Sequence, residues 1–142
     1  MLKVEGYVGA DEVKVVDFIR KIQADAVPDM NIIECSVLIK DRQDVVGMVS
    51  YESYNDLGVV RYFLYDACIA GVGIVLELFF ELYKKAHEEG VKQLIAQVPN
   101  QEVEELFAML GFTKVTGDLS DFATIVRRDV KVMLIRLEGQ SF

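Results

Sequence analysis

Histidine is nearly missing from this chain. His87 is the single copy in 142 residues, which excludes a His-based catalytic triad and a His-rich metal site. It stands in KKAHEEG, near the end of an expected helix, where a surface position is the simplest reading. Cysteine is almost as scarce. Cys35 and Cys68 show no metal-ligand spacing, and read as free, buried thiols in a reducing cytoplasm. Nothing beside Cys68 in sequence would lower its pKa, so it reads as a small apolar residue and not as a nucleophile. Long apolar runs are missing too. The first twelve residues, MLKVEGYVGADE, contain no run of signal-peptide type. The greasiest stretch, around Ile69 to Phe80, is too short for a membrane span and contains Glu77. Cations are in deficit: 15 Lys and Arg against 23 Asp and Glu leave a net charge of −8. Clustered phosphate contacts need the opposite balance, so nucleic acid is excluded as a partner.

What is present is enough for one packed domain spanning residues 1–142. Hydrophobic residues make up 52% and charged residues 27%, a globular balance at single-domain length. Leu2 to Val8 reads as a strand. Asp11 is a candidate N-cap for a helix carrying Val13, Val16, Ile19 and Ile22 at helical spacing and ending near Ala24. Pro28 and Asp29 mark a loop. Asn31 to Ile39 and Val45 to Tyr54 read as strands, with KDRQD as the turn between them. Asn55 to Gly58 is a turn, and Val59 to Tyr65 a further strand, so an antiparallel meander follows. A helix then runs from about Gly71 to Glu89, with Gly90 as its stop. On it, Leu76, Phe79, Phe80 and Tyr83 form an expected core face. Val91 to Val98 is a strand. Pro99 or Asn100 starts a short helix with Val103, Leu106, Phe107 and Leu110 on one face. Glutamates 102, 104 and 105 lie on its solvated side. Phe112 to Thr116 and Asp129 to Leu137 are the last strands, with an irregular segment from Gly117 to Thr124.

The chain is organised around Val59 to Val75, VVRYFLYDACIAGVGIV. A strand with one charge, Arg61, passes through a short loop to two glycines at the mouth of a helix. Glycines there let a ligand approach the main chain, and unpaired N–H groups at a helix start favour an anion. The strand–helix–strand order implies a right-handed parallel crossover. Val59–Tyr65 and Val91–Val98 are therefore expected to run parallel and to diverge toward their C-terminal ends.

This stretch resembles the acyl-CoA-binding motif of the GNAT superfamily of N-acetyltransferases, in which a strand runs into Q/R-x-x-G-x-G/A. The six positions fall on Ala70, Gly71, Val72, Gly73, Ile74 and Val75. Gly73 matches the central glycine. Ala70 stands in place of Gln or Arg, and Val75 in place of Gly or Ala. A second stretch, PNQEVEELFAMLGF, is similar to the family's N-x-x-A-x-x-L-Y-x-x-L-G-F at Asn100, Leu106, Leu110, Gly111 and Phe112. Here Val103 replaces Ala and Phe107 replaces Tyr. The expected order, β-α-β-β-β-α-β-α-β-β in a mixed α/β (α+β) sheet with splayed central strands, is the family's with one departure. Between Ala24 and Asn31 only a single turn fits where a second helix usually flanks the acceptor site.

The resemblance implies acetyl-CoA as co-substrate. The loop from Ala70 to Val75 would cradle its pyrophosphate. Main-chain groups of Phe63, Leu64 and Tyr65 would hold the pantetheine arm and polarise the thioester carbonyl, with Asn100 and Phe107 also at the cofactor. An acetyl group would pass directly to a primary amine in a ternary complex. No Lys or Arg occurs between Tyr62 and Tyr83, so main-chain N–H groups would have to hold the phosphates against an acidic protein. Phe107 takes the place of the tyrosine that, in many members, protonates the departing thiolate; Tyr65 is a substitute acid or a packed aromatic. Glu52 and Asp66 are the nearest candidate general bases, each also readable as a structural or solvated carboxylate. The acidic composition suits a cationic acceptor such as a polyamine, an aminoglycoside or a lysine-bearing peptide. Two other functions remain open. The chain could be a non-catalytic binding or regulatory module on the same fold, or a homodimer assembled through an exposed strand and aromatics.

Overall fold

The computed structural model describes residues 1–67, 69, 71–115 and 130–140. Strand β1 is Leu2–Gly6, and a single 3-10 turn over Gly9–Asp11 leads into helix α1, Glu12–Ile22. Val15, Phe18 and Ile19 are its buried stripe, at the three- and four-residue spacing of one helix face. Asp11 holds the expected N-cap position but makes no side-chain cap. Its carboxylate accepts instead from the Val8 N–H at 3.0 Å and from Lys40 Nζ at 2.8 Å. Lys40 also reaches Glu5 at 3.1 Å, so β1, the 3-10 turn and the following strand are tied by one nearly buried ammonium.

Burial acts to raise the Asp11 pKa, and the bonds from Lys40 and Val8 outweigh it, so the carboxyl titrates below its ordinary value. The Asp11 hydrogen bond likewise holds the Lys40 ammonium above its ordinary value. The Asp11 contribution to stability is therefore present above the ordinary carboxyl range and lost as pH falls through the lowered folded pKa. The Lys40 contribution is present below the ordinary lysine pKa and lost as pH rises through the raised one. Asp11→Asn should lower stability at neutral pH by about 2 kcal/mol, less than for a fully buried pair because Glu5 remains beside Lys40. Urea denaturation across pH checks this: the variant's stability should fall less steeply in acid than the wild type's.

The next element departs from expectation. Met30–Ile33 is a helical turn, α2, and strand β2 begins only at Ser36, running to Asp41. The apolar run through Asn31–Ile33 has no strand partner because Asp29 caps the turn, its carboxylate accepting from the Asn31 N–H at 2.9 Å. Ile32 and Ile33 are buried beneath it. The turn thus lies at the start of the expected strand Asn31–Ile39 and not within the interval Ala24–Asn31, where a single turn was expected.

Strands β3 (Asp44–Tyr54) and β4 (Leu57–Val60) follow in antiparallel pairing. The expected strand Val59–Tyr65 is not continuous. It breaks after Val60 and resumes as β5, Leu64–Tyr65, which pairs with β3 through Gly47↔Tyr65 and Met48↔Leu64. Helix α3 (Val72–Glu88), strand β6 (Gln93–Val98), helix α4 (Gln101–Met109) and strands β7 (Thr113–Lys114) and β8 (Lys131–Arg136) complete the described elements. The expected irregular segment Gly117–Thr124, and the residues Thr116 and Asp129, lie outside the described residues.

The strands form one sheet in the order β1-β2-β3-β4-β6-β8-β7, with β5 beside β3. Every pairing is antiparallel except β4 with β6, which is parallel at Leu57↔Gln93, Gly58↔Leu94 and Val59↔Ile95. That is the expected crossover. Gly58 permits the close approach: a Cβ there would sit 2.6 Å from Leu94 Cδ2 and 3.2 Å from Val91 Cγ1.

Two clusters cover the two faces. On one, α3 buries Val75, Leu78, Phe79, Leu82, Tyr83 and Ala86, and α4 adds Phe107, against the alternate residues Leu94, Ala96 and Val98 of β6. On the other, α1 and α2 pack on Leu38, Val45 and Met48. Phe80, expected in the core, is 59% exposed. The buried stripe runs through Phe79 and Tyr83 and leaves Phe80 a hundred degrees round the helix. Glu104, expected to be solvated, is mostly covered and pairs with Lys114 and Lys131, tying α4 to β7 and β8. Among the described residues no helix is long and apolar enough to cross a membrane.

Candidate active site

The site is a gap in the sheet where β4 and β6 part. The cause is local. Between the pairs Tyr51↔Val60 and Met48↔Leu64, the three residues Arg61–Phe63 face only Val49 and Ser50. This is a β-bulge. Ser50 accepts twice to hold it, its carbonyl from the Arg61 N–H at 2.8 Å and its hydroxyl from the Tyr62 N–H at 3.0 Å. Below the bulge, the Asp66 N–H donates to the Val46 carbonyl at 2.8 Å. In an antiparallel ladder alternate residues bond the same neighbour, so Leu64 shares the β3 side with Asp66. The main-chain groups of Phe63 and Tyr65 are turned to the opposite edge, toward the space that β6 has left.

That space is a cavity of about 490 Å³, in the range of small-molecule sites. It passes through the sheet. Toward α3 and α4 its walls are Val60, Phe63, Val103 and Phe107; on the other face are Gln23 at the end of α1, Ile32 of α2, and Arg61 and Gln97, which alternate with Val60 and with Ala96 and Val98. Phe107 is 3% exposed and packs edge-on against Phe63, Phe79 and Phe112, with centroid separations of 6.0, 5.6 and 4.9 Å. Arg61 donates from Nε to Glu52 Oε1 at 3.0 Å. Tyr54 Oη donates to the same oxygen at 2.8 Å.

The first turn of helix α3 shares a hydrophobic cluster with two of the cavity's walls: Ile74 and Val75 belong with Phe63 and Phe107. Gly71 is the helix's N-cap with φ 94° and ψ 155°, a conformation that only glycine adopts freely. A Cβ at Gly71 or Gly73 would meet nothing within 4 Å, so both main chains are open to an approaching group. Being glycine, the N-cap residue itself supplies no side-chain cap. Val72 is 44% exposed, whereas Val75 has turned into the core.

The structure brings together some of the sequence-derived candidates and separates others. Phe63, Leu64 and Phe107 line the cavity, and Gly71, Val72, Gly73, Ile74 and Val75 form the start of α3. Ala70 lies outside the described residues, as does Cys68. Tyr65 is 47% exposed and rests on Phe63 at 5.6 Å, outside the lining. Glu52 is held by Arg61 and Tyr54 and is not a lining residue. Asp66 is on the α1 side, 3.2 Å from Lys21. Asn100 caps α4, accepting from the Val103 N–H at 2.9 Å. Gln23, Ile32, Arg61, Ala96, Gln97 and Pro99 belong to the lining and were not expected there. The signal available for two of them was a lone polar residue inside an apolar strand: Arg61 in VVRYFLY and Gln97 in LIAQV.

No protein-family model and no curated protein matches the sequence. Solved structures do match in shape. The chain superposes on a GNAT-family acetyltransferase from Staphylococcus aureus Mu50 with a TM-score of 0.73 at 14% identity, covering 97% of this chain and 100% of that one. The chain has the GNAT-superfamily fold. A second match is the ribosomal-protein-S18-alanine N-acetyltransferase of Escherichia coli, with a TM-score of 0.67 at 15% identity, covering 100% of both chains. The N-acetylglutamate synthase of Neisseria gonorrhoeae, solved with coenzyme A and N-acetyl-glutamate, matches with a TM-score of 0.74 at 17% identity. That alignment covers 96% of this chain but only 35% of the synthase, so the chain spans about a third of its length. The bulge, the parting of β4 from β6 and the glycine-led α3 are features of this chain's own GNAT fold.

Proposed function

We propose that the protein is an acetyl-CoA-dependent N-acetyltransferase acting on a primary amine by direct transfer. What supports this reading is the gap itself: the bulge leaves an edge at Phe63 and Tyr65 beside a cavity, and two of the cavity's walls, Phe63 and Phe107, share one hydrophobic cluster with the first turn of α3. The residues fit the co-substrate. Gly71 and Gly73 leave room for phosphate against the main chain, where N–H groups and the helix dipole favour an anion. The α4 side of the gap, with Val103 and Phe107, is apolar, as the pantetheine arm requires. Acetyl-CoA, when bound, supplies an acetyl group activated as a thioester.

The chain's own part is to bind, orient and exclude water. Main-chain groups of Phe63 and Tyr65 would hold the arm, and those of Gly71 to Val75 the phosphates; Leu64, expected among the first group, turns its main chain to β3. The aromatic wall of Phe63, Phe79 and Phe107 keeps water from the inner end of the gap. Phe107 carries no exchangeable proton, so the chain offers none at that position to a departing thiolate.

A second reading rests on that same ring. A wall of buried aromatics with no acid in it also suits a protein that binds coenzyme A without turning it over. Thiol release from acetyl-CoA across a panel of amines, beside calorimetry with coenzyme A, separates the two. Transfer to an amine supports the enzyme. Binding without transfer supports the binding module, and no binding at millimolar ligand removes both.

A further inference from the structure

The cavity is polar at one end and apolar at the other, and the polar end has a sign. Toward α1 and α2 its walls include Gln23, Arg61 and Gln97, and Arg61 is the one charged residue among the described lining residues. No described carboxylate lines it. This is the reverse of the whole chain, whose net charge is −8. A polyamine or aminoglycoside drawn to the acidic surface would meet a guanidinium inside the gap, and the carboxylate beside it, Glu52, lies outside the lining and is already paired with Arg61.

The guanidinium is also oriented. Glu52 Oε1 takes the Nε–H at 3.0 Å and is itself held by Tyr54 Oη. Ser50 fixes the Arg61 main chain within the bulge. An arginine anchored through Nε keeps its two terminal nitrogens as a planar fork, the geometry that matches a carboxylate in two parallel hydrogen bonds. With its side chain 25% exposed, the group is shielded enough for such a pair to count and open enough for a ligand to reach.

We propose that Arg61 is a specificity residue, and that the acceptor is a small amine bearing a carboxylate, such as a free amino acid, whose carboxylate this fork receives. The proposal rests on the acetyltransferase reading given above for the direction of the chemistry, but the carboxylate subsite has its own test. Arg61 belongs to the α1–α2 side of the gap, whereas the Gly71–Gly73 main chain opens α3 on the other face. The residue therefore acts on the acceptor and not on the phosphates of coenzyme A. A cavity of about 490 Å³ has room for an amino acid beside the thioester end.

The experiment has two arms. In the first, thiol release is measured with free amino acids and with the corresponding amino acid amides, which differ only in the carboxylate. The wild type should show a KM for the amides at least about tenfold higher, the scale of one charge-assisted bidentate contact. Arg61→Gln should raise the KM for the acids to that of the amides and leave the KM for acetyl-CoA unchanged, and Arg61→Lys should recover part of the difference. In the second arm, N-acetyl amino acids and their amides are titrated into both proteins by calorimetry, with no turnover needed. Acids binding at least about tenfold tighter than amides to the wild type, and equally to Arg61→Gln, support the subsite even where transfer fails. Acids and amides that bind alike to the wild type, or an Arg61→Gln variant with unchanged discrimination, overturn it while leaving transfer to other amines standing. An unchanged melting temperature for Arg61→Gln confirms that the half-exposed Glu52 pair is not what holds the fold.

Discussion

Phe107→Tyr should raise the rate of thiol release from acetyl-CoA about a hundredfold with a good amine acceptor, the ordinary scale of general-acid assistance. Phe107 forms part of the wall of the gap between β4 and β6 and cannot donate a proton. A free thiol titrates near about 8.5, so a thiolate leaves unassisted at a reduced rate, and the wild type should be slow and not inert. The substitution adds one oxygen to a ring packed on Phe63, Phe79 and Phe112. A hydroxyl left without a partner there costs about 1–3 kcal/mol, which a thermal melt would register separately from the rate. A gain in kcat with an unchanged KM for acetyl-CoA is the expected pattern. A wild type that already turns over at an ordinary enzymatic rate, with no gain in the variant, means the missing acid was never the limitation. Binding of coenzyme A by both proteins with turnover by neither gives the case to the binding module.

Gly73→Asp should weaken acetyl-CoA about a hundredfold or more. Two unit charges about 5 Å apart near a protein surface repel by roughly 3 kcal/mol, and the chain has no Lys or Arg between Tyr62 and Tyr83 to offset an added carboxylate. The fold should not suffer. Gly73 is the second residue of α3 and a Cβ there meets nothing within 4 Å. A carboxylate in a first helical turn is favourable by about 0.3–1 kcal/mol, so the variant should melt no lower than the wild type. Gly73→Ala is the neutral control, with affinity close to wild type. Gly71 makes a poor substitute, because its φ of 94° strains any side chain and would confuse loss of binding with loss of the helix start. Calorimetry reads both variants. Affinity unaffected by Gly73→Asp would place the site elsewhere.

Much of this architecture is written in local patterns. The crossover was legible because Val59–Val60 and Leu94–Val98 are apolar strands flanking an amphipathic helix, and that order admits one handedness. The start of α4 was legible because Asn100 is a good cap and Val103, Leu106, Phe107 and Leu110 recur on one face. The bulge was not legible. It depends on the Ser50 hydroxyl and carbonyl accepting from successive N–H groups of a strand that is distant in sequence until the hairpin closes. Without Ser50 in place, VVRYFLY reads as one uninterrupted strand. The turn at Met30–Ile33 was hidden for the opposite reason: Asn-Ile-Ile has strand composition, and the Asp29 cap and burial of both isoleucines override it. The site candidates divided along the same line. The glycine-led start of α3 followed from the motif. The side chains of Glu52 and Asp66 did not, because the cations that hold them, Arg61 and Lys21, come from other segments.

The claim that coenzyme A sits in the gap between β4 and β6 is tested most directly by titrating acetyl-CoA into isotope-labelled protein and following backbone amide shifts. The largest changes should fall on two clusters, Phe63–Tyr65 at the bulge edge and Gly71–Val75 at the start of α3, with side-chain shifts at Phe107. Amides that stay unmoved at millimolar ligand, or that move only outside these two clusters, would contradict the account.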